Sequence, residues 1–361
     1  MVSFIPTEDQ QLLIDTINRY ATADIRKTAH EHDEKSEPDL DTIRKGWQIG
    51  LIPASIPETI GGFGEMSAVT SALASEELAF GELSTALHIM TPALFAYPLV
   101  LYGTEDQQAQ YIEMFLDEDI APATAALLEP GIGFDPHDMK TTATTNGDTV
   151  SLNGTKAFVP LAESAEVILV YAKDSESGDV SAYIVETSAD GITIEKREQL
   201  LGIRALPTYR VNFTNVSVSA TAKIAIDYPV ILNRMRLGLA SMAVGVARAS
   251  HEYAVDYAKG RVQFGRAIAQ NQSIAFMLAE GRIDIDAARL MIWEAAWKID
   301  RGEEATREAV LAKQFADKMV LQVTDSGVQT LGGYGFIREY PAERWLRNGR
   351  GFPTFDGLTI I

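Results

Sequence analysis

The spacing of apolar residues changes period twice along the chain. Near the start, Leu13, Ile14, Ile17, Tyr20 and Ala21 recur at the i, i+3, i+4 and i+7 spacing of one helix face. Thr7 and Gln10 stand just before them at the spacing of a capping box. Further helical stretches are predicted over 40–50, 67–80 and 105–116, with the turn-rich segment 57–64 between the first two. From about 124 to 220 the period shortens to two and β-branched residues take over, as in Thr149-Val150-Ser151-Leu152 and Val167-Ile168-Leu169-Val170. Asn153-Gly154 reads as a hairpin turn. From 231 the helical period returns in three segments, 231–259, 273–300 and 304–331. Each is about 28 residues, or ~40 Å at 1.5 Å per residue, long enough for an antiparallel bundle. The expected fold is therefore α+β and multidomain: an N-terminal helical domain (1–120), a middle antiparallel β domain (121–225) and a C-terminal four-helix-bundle-like domain (226–361). No internal repeat or flexible linker separates them.

Composition narrows the function. Of 361 residues, 46% are hydrophobic and 22% charged, which is ordinary for a globular protein. Cysteine is absent, so disulfides, thiolate metal sites and cysteine nucleophiles are excluded. The start, MVSFIPTEDQ, lacks the basic and then apolar regions of a secretory signal. No run of the sequence reaches the ~18 apolar residues of a membrane span, and a cytoplasmic protein is expected. The net charge of -19 disfavours nucleic acid and anionic membrane as partners. An anionic ligand would need local arginines, and these cluster at Arg236, Arg248, Arg261 and Arg266 and again at Arg344, Arg347 and Arg350. For most of these arginines solvated helix faces and ion pairs are the plainer reading.

Generic catalytic patterns are mostly missing. The five histidines, at 30, 32, 88, 137 and 251, show no metal-ligand spacing, and no metal is expected. There is no nucleophile elbow, no Walker loop and no strand–GxGxxG–helix unit. Two glycine-bearing stretches remain, Glu129-Pro130-Gly131-Ile132-Gly133-Phe134-Asp135 and Gly332-Gly333-Tyr334-Gly335. Taken alone, each is more often a turn or a helix C-cap than a ligand cradle.

In order along the chain stand Glu129-Pro-Gly-x-Gly-x-Asp135, Gly154-x-Lys156, Leu201-Gly-Ile-Arg204, Arg261-Val-Gln-Phe-Gly-Arg266, Gln329-Thr-Leu-Gly-Gly-Tyr-Gly335, Glu339-Tyr-Pro341 and Phe355-Asp356-Gly357. This succession resembles the acyl-CoA dehydrogenase family over nearly the whole chain. The resemblance implies FAD, a CoA thioester substrate, electron-transfer flavoprotein as acceptor and a homo-oligomer or homologous partner subunit, usually a tetramer. It places Arg261, Gln263, Phe264, Gln329, Gly332 and Gly333 at the FAD diphosphate, reached across a subunit boundary. It places Leu128, Phe158 and Pro160 at the flavin ring, and Phe134, Arg236 and Gly357 at the substrate. Guanidinium groups suit phosphate, and glycines let backbone N–H groups come close.

The resemblance also assigns the base. Family members carry a glutamate in a Phe/Tyr-Glu-Gly-Thr segment, where this chain has Phe355-Asp356-Gly357-Leu358. The alternative family location, just before the arginine matched by Arg236, holds Met235. Asp356 is the expected base, buried beside the acyl chain so that its proton affinity rises. Aspartate retracts the oxygens by ~1.5 Å, and misplacement of ~1 Å can cost about a hundredfold in rate. Three positions depart from the usual flavin and substrate contacts: Leu128 for threonine, Phe134 for serine, and Phe158-Val159-Pro160 for Trp-x-Thr. Family members also continue with a terminal helix beyond the base segment. FAD-dependent α,β-dehydrogenation of an acyl-CoA is the first expectation. A partly degenerate partner subunit of an α2β2 dehydrogenase is the second, and a flavin oxidase or monooxygenase on the same fold is the third.

Overall fold

The fold is that of a computed structural model describing residues 5–131 and 133–361. The first four residues of the N-terminal segment, and Ile132 within the Glu129–Asp135 motif, lie outside the described residues. Helix α1 (Glu8–Tyr20) starts as its capping box dictates: the Gln10 N–H donates to Thr7 Oγ1 at 3.2 Å, and the Thr7 N–H to Gln10 Oε1 at 3.0 Å. One π turn leads into α2 (Arg26–Lys35), which ends where Ser36 turns left-handed. Then come α3 (Leu40–Trp47), α4 (Ala68–Gly81), α5 (Leu83–Met90), α6 (Ala93–Tyr102) and α7 (Glu105–Tyr111).

Helix α6 escapes the periodicity test because it is apolar and buried on almost every side, and such a helix has no hydrophobic stripe; α5 is also buried throughout, although Leu83, Ala86, Leu87 and Met90 share one apolar face. The stretch Leu83–Tyr102 and a later helix, α8 (Tyr228–Gly260), are apolar enough for a membrane span, which corrects the expectation from the sequence. Their most apolar windows are 94% and 89% buried within the protein. They form its core.

His88 of α5 shares this burial. Its Nδ1 has no hydrogen-bond partner among the described residues, and burial pushes its pKa down to about 4. The unfolded imidazole takes up a proton near pH 6.5 and the folded one only near 4, so this contribution to stability is lost as pH falls between those values. We expect His88→Leu to flatten the pH dependence of urea stability between pH 6.5 and 4 by about 3 kcal/mol relative to wild type.

The middle layer is an eight-stranded sheet. Its strands are β1 (Ala123–Ala126), β2 (Thr142–Asn146), β3 (Thr149–Pro160), β4 (Val167–Asp174), β5 (Val180–Glu186), β6 (Ile192–Ile194), β7 (Thr208–Ser219) and β8 (Lys223–Ile224). It is mixed, which corrects the antiparallel expectation: β1 and β2 both run parallel to β4. Alternation reports burial of one face and is blind to strand direction. Asn153-Gly154 is also not a turn. It lies inside β3 at a register shift, where a Cβ on Gly154 would come within 2.7 Å of the Thr141 backbone. The β2–β3 turn is at Gly147 instead, with φ +62°.

The C-terminal part comprises α8, a short hairpin β9–β10 (Val262–Gln263, Arg266–Ala267), α9 (Gln272–Asp300), α10 (Thr306–Leu331), α11 (Gly333–Phe336) and α12 (Ala342–Gly351). Two arginines of the sequence clusters turn out to be structural. Arg248 pairs with Glu76 and Glu77, joining α8 to α4, and Arg347 pairs with Asp33 and Glu343, joining α12 to α2.

Candidate active site

Asp356 is held by steric requirements on both sides. A Cβ at Gly351 would strike the Phe355 ring, so glycine there lets that ring pack against the end of α12. Gly357 adopts φ +76°, and a Cβ on it would sit 2.8 Å from the Leu127 side chain. The Asp356-Gly357 turn is thereby pressed against the strand end at Leu127-Leu128. The Leu358 N–H closes the turn onto Phe355 O at 3.1 Å, and the Asp356 N–H makes no hydrogen bond among the described residues.

From the other side, α10 presents a buried cation. Lys313 Nζ donates to Asp317 Oδ2 at 2.7 Å and to Phe352 O at 3.0 Å, and stands 3.7 Å from Asp356 Oδ1. The Lys313 side chain is 8% exposed and that of Asp356 36%. The expected burial of the carboxylate is therefore not met in the single chain: Phe355 and Leu358 are buried, but Asp356 itself opens to solvent. Lys313 and Asp317 were missed from sequence. The available signal was a Lys-x-x-x-Asp pair on the otherwise apolar face of Ala312, Ala316 and Val320.

On the strand side, Lys156 is fully buried and explains two motifs at once. Its Nζ donates to Leu127 O at 2.9 Å and to Glu129 Oε1 at 3.2 Å, and Glu129 accepts the N–H groups of Lys140 and Thr141, each at 2.7 Å. Burial pushes the Lys156 ammonium down to about 8 against the pull of Glu129. Burial pushes the Glu129 carboxyl up, but Lys156 and the donors of Thr141 and Lys140 outweigh it and hold it low. This pair fixes both ends of the loop that carries half-buried Phe134.

Leu128 and Phe158 lie next to that pair in the chain and Pro160 ends strand β3, with polar backbone groups of all three engaged within the protein. Leu128 O accepts from the Ala157 N–H at 2.9 Å, and Pro160 O from the Thr124 hydroxyl at 2.7 Å. Phe158, left-handed at φ +51°, gives its N–H to Glu198 at 3.1 Å. Arg236, on α8, donates to Asn233 Oδ1 at 3.2 Å.

Arg261, Gln263, Gln329, Gly332 and Gly333 converge elsewhere, on a cleft of about 420 Å³ that shares no lining residue with the Asp356 turn. Phe264 stands fully exposed at the tip of the neighbouring β9–β10 hairpin. The Arg261 guanidinium lies 5.5 Å over the Tyr334 ring. Gly332 has φ 61° and ψ -130°, a conformation open only to glycine, and Cβ atoms on Gly332 or Gly333 would meet nothing within 4 Å. An open glycine cradle beside a guanidinium and a carboxamide fits the diphosphate of FAD. Of the three residues expected at the flavin ring, Leu128 and Pro160 are buried and Phe158 is half-buried.

Comparison with known proteins covers the chain almost completely. Residues 7–119, 124–216 and 230–360 match the family models for the N-terminal, middle and C-terminal domains of acyl-CoA dehydrogenase. The acyl-CoA dehydrogenase of Bacillus subtilis is 33% identical, over 98% of this chain and 96% of its own. The caffeyl-CoA reductase–Etf complex subunit CarC of Acetobacterium woodii is 34% identical, over 98% and 94%. The solved structure of butyryl-CoA dehydrogenase from Megasphaera elsdenii superposes with a TM-score of 0.90 at 31% identity, over 98% of this chain and 95% of that one.

Proposed function

This chain belongs to the acyl-CoA dehydrogenase family, FAD-binding oxidoreductases acting on CH–CH groups, and from that premise we propose that it oxidises an acyl-CoA between Cα and Cβ with Asp356 as base. The observation that supports this reading is the Asp356-Gly357 turn, which offers a carboxylate and an unspent backbone N–H from the same residue. A thioester carbonyl accepting that N–H is polarised as enolate-like charge develops, which lowers the barrier to losing the α-proton. The Asp356 carboxylate, on the same residue as that N–H, is then the group that takes the proton, and Gly357 lets the turn pack directly on Leu127.

FAD, when bound, supplies the acceptor for the hydride leaving Cβ. The chain's own part is to bind the diphosphate through Arg261, Gln329 and the Gly332–Gly333 backbone, and to shield the reacting carbons with Leu128, Phe158 and Phe134. Electron-transfer flavoprotein is the proposed onward acceptor, a reading supported by the Etf-complex relative in Acetobacterium woodii. Mixing the FAD-loaded protein anaerobically with a panel of acyl-CoAs should bleach the flavin with at least one of them. No bleaching by any, in a protein that retains FAD, would exclude the dehydrogenase reading.

One observation favours a second reading. Leu128 and Pro160 stand where hydroxyl donors to the ring are expected, and the Phe158 N–H is committed to Glu198, whereas Arg261, Gln329, Gly332 and Gly333 still line one cleft. Each missing hydrogen bond to a neutral acceptor is worth about 1 kcal/mol. A chain built this way can serve a homologous partner's FAD across the interface while holding its own weakly. A folded protein that takes up FAD only together with a second homologous chain would establish that role.

A further inference from the structure

Asp356 faces charge from two elements. Lys313 and Asp317 approach from α10, while Tyr228 and Arg236 lie on α8, with Asp135 and Glu129 beyond Tyr228 on the strand-end loop. The Lys313 ammonium has three donor positions. Phe352 O takes one at 3.0 Å, and the Asp317 carboxylate, with oxygens at 2.8 and 2.7 Å, takes the next. The side facing Asp356 is left at 3.7 Å, outside hydrogen-bonding distance. A lysine hydrogen-bonded directly to the base would stabilise its ionised form and make it a poor proton acceptor. A lysine absent altogether would leave two carboxylates in mutual repulsion.

We propose that Lys313 and Asp317 form the positioning pair of Asp356, Asp317 restraining the ammonium so that it steadies the carboxylate by charge without hydrogen-bonding to it. Helical spacing makes the restraint rigid, since residues i and i+4 of α10 share one face. The Phe352 carbonyl ties the same ammonium to the segment that carries Asp356. In support, burial pushes the Asp317 carboxyl up, Lys313 draws it down, and the charge of Asp356 adds a further push upward. The two carboxylates thus share one cation, and a proton arriving on Asp356 relieves the excess negative charge. This inference rests on the reading of Asp356 as the base, but its test does not.

The test is the carboxyl ¹³C titration of Asp356 in the full chain labelled at aspartate, with the signal assigned by its loss in Asp356→Asn. Asp317→Asn frees the ammonium to hydrogen-bond Asp356, and the titration should move down by about one pH unit. Lys313→Met/Asp317→Leu removes the pair without leaving a buried charge, and the titration should move up. Asp317→Glu should restore the wild-type midpoint. The acid limb of the flavin-reduction rate should shift in the same directions. An Asp356 midpoint unmoved by the two pair-disrupting variants, or moved in one direction by both, would overturn the proposal. Loss of the base reading would show differently, as Asp356→Asn protein still reduced by acyl-CoA while the titration shifts persist.

Discussion

Replacing Asp356 by asparagine is expected to lower the rate of acyl-CoA-driven flavin reduction by about 10²–10⁴-fold, the range supplied by a positioned general base. Asparagine keeps the shape of the side chain and the backbone N–H, so carbonyl polarisation survives and only proton abstraction is lost. Substrate affinity should therefore change little while the reduction rate collapses, the pattern of a group that acts in the transition state. Stopped-flow mixing under anaerobic conditions reads both quantities. Asp317, the carboxylate that shares Lys313 with it, is turned into that pair, and the family's alternative location holds buried Met235. Asp356→Glu is informative in the opposite direction. It advances the oxygens by one methylene toward both the substrate and Lys313, and its effect reports whether this pocket is shaped for the shorter side chain.

Lys156→Met is expected to cost about 3–5 kcal/mol of unfolding free energy, because it removes one member of a buried ion pair and leaves the other uncompensated. Glu129 would keep its charge among the Lys140 and Thr141 N–H groups but lose the cation that holds it low. Leu127 O would lose its donor as well. Both the strand end behind Gly357 and the Phe134 loop depend on this pair, so the variant should also weaken substrate binding wherever it still folds. Urea denaturation followed by circular dichroism measures the loss. The double variant Lys156→Met/Glu129→Gln should recover part of it, since two neutral groups replace an orphaned charge. An unchanged midpoint for the single variant would show that the pair is not coupled to folding.

Much of this was legible in the chain. The Thr7–Gln10 box set the first helix, and the three long periodic segments became α8, α9 and α10 with ends shifted by at most three residues. Motif order carried the family. What escaped reading did so for physical reasons. Helix α6 is apolar on all sides, so no stripe exists to be seen, while the short stripe of α5 spans only Leu83, Ala86, Leu87 and Met90. Asn153-Gly154 is a local turn signal overridden by the tertiary demand for a glycine against Thr141. Parallel pairing of β1 and β2 with β4 is set by distant partners.

At the site, residues next to one another in sequence were easier to find than those joined only by folding. Arg261 and Gln329, almost seventy positions apart by number, were brought to one cleft by family pattern rather than by spacing. Lys313 and Asp317 belong to no motif, and a helical lysine four residues from an aspartate reads as a surface pair until the fold buries it against Phe352. The link between Glu129 and Lys156 was likewise present as two separate motifs and visible as one device only in three dimensions.

The most direct measurement isolates proton abstraction from oxidation. A 3-thia acyl-CoA has no Cβ hydrogen to give up, yet its α-proton remains acidic. Incubated in D₂O with the FAD-loaded protein, it should take up deuterium at Cα, read by mass spectrometry. With Asp356→Asn, uptake should fall to the level of the analogue alone. Equal deuterium uptake by both proteins would contradict Asp356 as the base.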